Sequence, residues 1–224
     1  MTFKNKKLAI TLLIYTILFY SVWSVWRVVL APHLSIINNE YLSHLIGDGL
    51  VKNLIWTLPA VLLIRHFEKD MYVNLKQMFT TKIKWLDHLP TFLIFTAYLL
   101  LGQFLQNGKL AISDTFSGSK LIIVLFVGLT EEIVFRGWLL NSTYSSEKSW
   151  ISIAVNAFMF LAIHFPIWIS SGTFFSSFTD LGFVCIIVLS CVFSKSFLES
   201  KNLLVPIALH MYWDLLMFVF FLQQ

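Results

Sequence analysis

Leu121-Ile-Ile-Val-Leu-Phe-Val-Gly-Leu-Thr-Glu131-Glu132-Ile-Val-Phe-Arg136-Gly-Trp-Leu-Leu140 is apolar enough to lie inside a membrane, yet two adjacent carboxylates and an arginine interrupt it. A carboxylate at membrane depth costs at least a few kcal/mol, so an ionisable residue there is first read as functional. On a helix, Glu132 and Arg136 are four residues apart and share a face, with the acid N-terminal to the base, the better order for an ion pair. Glu131 points about 100° away from that pair, one residue's turn of the helix. It is left for another task. Snorkelling into headgroups accounts for Arg136 but not for Glu131, which follows a nearly unbroken apolar run.

The rest of the chain supports a membrane setting. Of its 224 residues, 58% are hydrophobic and 12% charged, and the mean hydropathy is +0.78. Soluble domains hold about 45–50% apolar and about 25% charged residues. The apolar excess falls into seven runs, roughly 8–31, 45–65, 89–107, 120–141, 150–170, 175–197 and 202–223. Lipid-exposed backbone must satisfy its own hydrogen bonds, so all seven are expected to be helices. The expected architecture is all-α: a polytopic bundle of seven or eight transmembrane helices around a polar catalytic cavity near the midplane. The second run is the weakest, because Asp48, Lys52 and Pro59 interrupt it. Between Arg65 and His88, basic residues alternate with Met71, Tyr72, Leu75, Met78 and Phe79, as expected of an interfacial amphipathic stretch. No internal repeat or linker appears, so residues 1–224 are expected to form one integral-membrane domain, with a motif-bearing core at about 120–224.

Lys4, Lys6 and Lys7 precede the first run, which reads as a retained span rather than a cleaved signal peptide. Lysine and arginine counts across the connections place the N-terminus in the cytoplasm and, less clearly, the C-terminus outside the cell. These charges sit in short connections and form no nucleic-acid patch. Cys185 and Cys191 lie in one apolar run and suggest neither a disulfide framework nor a metal site.

Two further motifs lie in later runs. Phe160-x-x-x-His164 and His210-x-x-x-Asp214 each place two residues on one helix face. Along helices, Glu131 lies ~15 Å from Asn141, His210 ~12 Å from Asn202 and His164 ~21 Å from Trp150. In a hydrocarbon core of ~30 Å all three approach the midplane. A glutamate beside an imidazole can share a water and take its proton. A second histidine with a polar neighbour can donate to an oxyanion. The set suits amide hydrolysis by activated water. The rival arrangement is a divalent metal, zinc, held by Glu131, His164 and His210, with Asp214 as a further donor. The sequence has neither His-Glu-x-x-His nor Gly-x-Ser-x-Gly.

Glu-Glu-x-x-x-Arg, then Phe-x-x-x-His, then His-x-x-x-Asn or Asp, in that order on separate membrane helices, resembles the CPBP family: the type II CAAX prenyl proteases and the bacteriocin-processing (Abi) intramembrane proteases. The resemblance covers about Leu121 to Phe220. It implies that Glu131 activates water with help from His164, that His210 and Asp214 stabilise the oxyanion, and that Glu132, Arg136 and Phe160 support the site. Asp214 departs from the Asn of eukaryotic-type members, and an ionised Asp cannot donate a hydrogen bond. Its role is then either that of a protonated acid or that of orienting His210.

The resemblance, the small size and the Lys-rich N-terminus fit a bacterial cell-membrane protein. The expected partners are the lipid bilayer and a peptide or protein substrate arriving from the membrane or the cytoplasm, with no nucleic acid. Bacteria generally lack prenylated CAAX proteins, so peptide or bacteriocin processing, or self-immunity, is the expected context. Two other classes compete. One is a non-enzymatic immunity or partner protein. The other is a small proton-coupled transporter, against which the lack of an internal repeat counts.

Overall fold

The computed structural model describes residues 5–180 and 182–221, and every regular element among them is helical. Lys4 of the basic tail, Leu181, and the last two residues of the run expected at 202–223 lie outside the described residues. We label the main helices α1 (Lys6–Ile36), α2 (Glu40–His66), α3 (Trp85–Asn107), α4 (120–143), α5 (Ser149–Ala162), α6 (Phe165–Ser170), α7 (Gly182–Ser200) and α8 (Leu204–Phe220).

Each expected run contains helix, although the run expected at 175–197 begins as a short turn of helix, Ser176–Thr179, before α7, and fewer of them qualify as simple spans. Among the described residues, five helices are long and apolar enough to cross a membrane: α1, α2, α3, α7 and the broken helix Ser146–Ser170, which holds α5 and α6. The expected seven or eight crossings are therefore not reached on length and composition alone. Helix α8 is apolar but short, and α4 carries Lys120, Glu131, Glu132 and Arg136. The chain is a multi-pass membrane protein whose most enclosed helix carries these charges.

Helix α4 is the axis of the bundle. It packs against α2, α5, α7 and α8, and every residue from 130 to 142 is buried. Over that stretch no face is exposed, so no amphipathic stripe is needed and apolar residues run all the way round. Helix α1 is apolar on both faces for a different reason. Leu8, Leu12, Tyr15, Phe19 and Trp23 are buried, whereas Ile10, Leu13, Ile14 and Ile17 are exposed, as a lipid-facing surface requires.

The winding is irregular where the polar residues lie. Helix α2 is capped by Asn39, whose side chain accepts from the Leu42 N–H at 3.0 Å. It then runs as π-helix over Leu45–Val51 and Asn53–Thr57 before an α-helical end. Pro59 follows just after the second π-helical stretch, where the regular bonding pattern is already interrupted. The run that looked weakest in sequence is thus continuous and longer than expected. Helix α4 is α-helical to Glu132 and π-helical over Ile133–Leu140. Such π segments occur often at functional sites.

Between α2 and α3 the expected amphipathic stretch is two short turns, Glu68–Asp70 and Gln77–Thr80. They are tied into the core, with Val73 and Met78 buried. Asn141 at the end of α4 accepts from the Val73 N–H at 2.8 Å and donates to its carbonyl at 2.9 Å.

The run expected at 150–170 breaks into α5 and α6 on either side of Ile163 and His164. Pro166 is the cause: its ring clashes with the carbonyl four residues back, and it has no N–H to offer. Buried carbonyls at such a break need other donors. Tyr20 Oη donates to the Met159 carbonyl at 2.5 Å and Trp23 Nε1 to the Ile163 carbonyl at 2.9 Å. Both donors come from α1. Trp23→Phe should leave the Ile163 carbonyl unpaired and lower stability by about 1–3 kcal/mol. Thermal unfolding of the purified variant checks this, and an unchanged midpoint would remove the capping role.

Candidate active site

Glu132 forms the base of the site. It is fully buried, and its Oε1 accepts from Arg136 Nη1 at 2.9 Å and pairs with His210 Nδ1 at 2.8 Å. Arg136 Nη2 donates to the Ser190 carbonyl at 3.0 Å and to the Ser190 hydroxyl at 2.7 Å. The guanidinium lies 4.6 Å from the Phe160 ring and 5.3 Å from the Phe193 ring. The i, i+4 pair expected from sequence is present, and it carries an added function. By accepting a hydrogen bond from Nδ1–H, Glu132 fixes the orientation of the His210 ring.

The other edge of His210 meets the remaining acids. Its Nε2 is 3.5 Å from Asp214 Oδ2 and 4.0 Å from Glu131 Oε2. The first distance is at the limit of a weak hydrogen bond, and the second is too long for one. A water bonded to both groups can span the second. The His210 ring stacks on Phe193 with centroids 4.9 Å apart, which holds its plane. Helices α4 and α8 come this close at Gly128. A Cβ there would lie 2.6 Å from Met211 Cγ and 3.3 Å from the Met211 backbone nitrogen. A larger residue would force the helix bearing His210 outward.

His164 reaches the cluster from the α5–α6 break. Its Nδ1 pairs with the Phe160 carbonyl at 3.0 Å, and it lies close enough to Glu131 for the two to interact electrostatically. With Nδ1 as the donor, Nε2 of the neutral ring is the acceptor. The Phe160 ring is central: its centroid lies 5.4 Å from the His164 ring and 5.9 Å from the His210 ring. The residue expected to support the site thus stands between the two imidazoles and against Arg136.

Glu131 has the partner that sequence reasoning missed. Lys52 Nζ donates to Glu131 Oε1 at 2.8 Å, with side-chain exposures of 3% and 8%. In sequence Lys52 reads as a flaw in an apolar run, and its partner is far along the chain. Asn156, Ser190 and Ser194 were missed as well. Asn156 donates to the Phe135 carbonyl in the π segment at 2.9 Å and accepts from Ser194 at 3.2 Å. Ser152 lies four residues before Asn156, and Ser190 four before Ser194, so a periodic polar stripe was there to be read on each helix.

Among the described residues no three His, Cys, Asp or Glu side chains gather as ligands. The Lys52 ammonium sits on Glu131 where a cation would compete with it, and His210 directs Nδ1 at Glu132. Cys185 and Cys191 are free thiols.

Comparison with known proteins agrees with the motifs. Residues 115–216 match the family model described as Type II CAAX prenyl endopeptidase Rce1-like. No curated protein and no solved structure matches the chain. The stretch that holds all three motifs is therefore similar to the Rce1-like type II CAAX prenyl endopeptidases.

Proposed function

We propose that the protein is an intramembrane endopeptidase in which Glu131 is the general base. The observation that carries this is the convergence of Glu131 and Asp214 on His210 Nε2, while Glu132 holds Nδ1. A water between Glu131 Oε2 and the imidazoles gives a proton to the carboxylate, and its oxygen adds to the scissile carbonyl carbon. His210 donates from Nδ1 to Glu132 and, when doubly protonated, from Nε2 to the oxyanion. The tetrahedral intermediate collapses as the C–N bond breaks, and the proton held by Glu131 passes to the leaving nitrogen. His164 Nε2 accepts from the water and aligns it. Asp214 orients His210 and needs no proton of its own for that. This removes the difficulty raised by an Asp where an Asn is common.

The positive residues of the tail and of the α2–α3 connection support a cytoplasmic N-terminus in a cell membrane. The substrate is a membrane-embedded or cytoplasmic peptide, and bacterial peptide or bacteriocin processing, or self-immunity, is the biological setting. Purified protein in lipid nanodiscs is incubated with a farnesylated CAAX peptide and, separately, with an apolar membrane-spanning peptide, and the products are read by mass spectrometry. New termini are expected with the wild type and none with Glu131→Ala, His164→Ala or His210→Ala. Full cleavage by Glu131→Ala would falsify the reading.

A further inference from the structure

Lys52 reaches the site from α2, outside the three motifs. It is the single residue between two π-helical stretches, and its ammonium is enclosed on three sides. Glu131 Oε1 accepts from it at 2.8 Å, the Trp56 ring lies 4.5 Å away and the Trp23 ring 5.5 Å away. An ammonium buried at 3% exposure is held by a carboxylate and two indole faces rather than by water.

The two oxygens of Glu131 are thereby made unequal. Oε1 is committed to Lys52, and Oε2 faces His210 Nε2 across 4.0 Å. Without the ammonium the carboxylate can rotate, and either oxygen, or neither, faces the imidazoles. A bare buried carboxylate also lacks its counter-charge.

We infer that Lys52 is a positioning residue: it clamps Oε1 of Glu131 and presents Oε2 to the water that attacks the substrate. This rests on the endopeptidase reading above. It differs from a purely structural ion pair, which would lower the amount of folded protein but leave turnover per folded molecule intact.

The test uses full-length protein in nanodiscs and the two peptides named above. Lys52→Gln is expected to lower kcat by ~100-fold, as a small misplacement of a catalytic group does, with KM within about threefold. Lys52→Arg, which restores a cation, should recover at least about a tenth of wild-type kcat. In a thermal cycle, Lys52→Gln and Glu131→Gln should each lower the unfolding midpoint by several degrees. The double variant should fall by less than their sum, because the two groups act as a pair. Wild-type kcat in Lys52→Gln overturns the inference, as does strict additivity in the cycle. If Lys52→Gln alone fails to accumulate and the double variant accumulates, the pairing stands. If both fail, Lys52 serves the fold apart from Glu131 and the inference is lost. If the wild type cleaves neither peptide, the endopeptidase reading falls, and the thermal cycle alone decides whether Lys52 holds Glu131.

Discussion

Glu131→Gln is expected to lower peptide turnover by about 10²- to 10⁴-fold, the usual contribution of a positioned general base. The amide has the shape of the carboxylate and keeps an oxygen acceptor for Lys52, so the packing around it should persist. What it loses is the ability to take a proton from water. The protein should still reach the membrane, with Lys52 keeping its two indole contacts. Turnover per folded molecule, normalised to protein that survives gel filtration, is the measurement. Undiminished turnover would remove Glu131 from the chemistry. Undiminished immunity in cells would favour a non-enzymatic partner, whose polar residues only hold helices together.

Arg136→Met should have the largest effect on stability. Methionine fills most of the volume, so a cavity is not the main penalty. The penalty is Glu132, fully buried and left with His210 alone after losing the 2.9 Å bond from Arg136. Removing one partner of a buried ion pair costs about 3–5 kcal/mol. The Ser190 carbonyl and hydroxyl lose their donor in the same step. We expect little folded protein in the membrane and a sharply lowered unfolding midpoint. Arg136→Met with Glu132→Gln should regain part of the loss, since it removes the orphaned charge. An unchanged midpoint in the single variant would mean that the pair contributes nothing to the fold.

Local spacing made part of this site readable from sequence. Glu132 and Arg136 are neighbours on one helix, so their pairing follows from periodicity, and the three motifs do meet around the His210 and Phe160 rings. Pairings across the bundle were less legible. Lys52 and Glu131 are 79 residues apart, and nothing in the local pattern joins them. Helical periodicity also assumes a uniform winding. The π segments of α2 and α4 break that assumption just where the charged residues sit. Pro166 did signal the break beside His164, yet an unbroken apolar run concealed it. The number of spans was hardest to read, because apolar length alone cannot separate a lipid-facing span from a helix buried by its neighbours, as α4 is.

The bonds from α1 to the α5–α6 break bear on modularity. Tyr20, Trp23 and Lys52 all precede the stretch that matches the family. Residues 115–216 expressed alone would keep every motif but lose both carbonyl caps and the counter-charge of Glu131. The family signature is therefore not a transplantable cassette. A chimaera that grafts it onto foreign N-terminal helices should regain function only if those helices bring two indole or phenol donors and a cation to the same places.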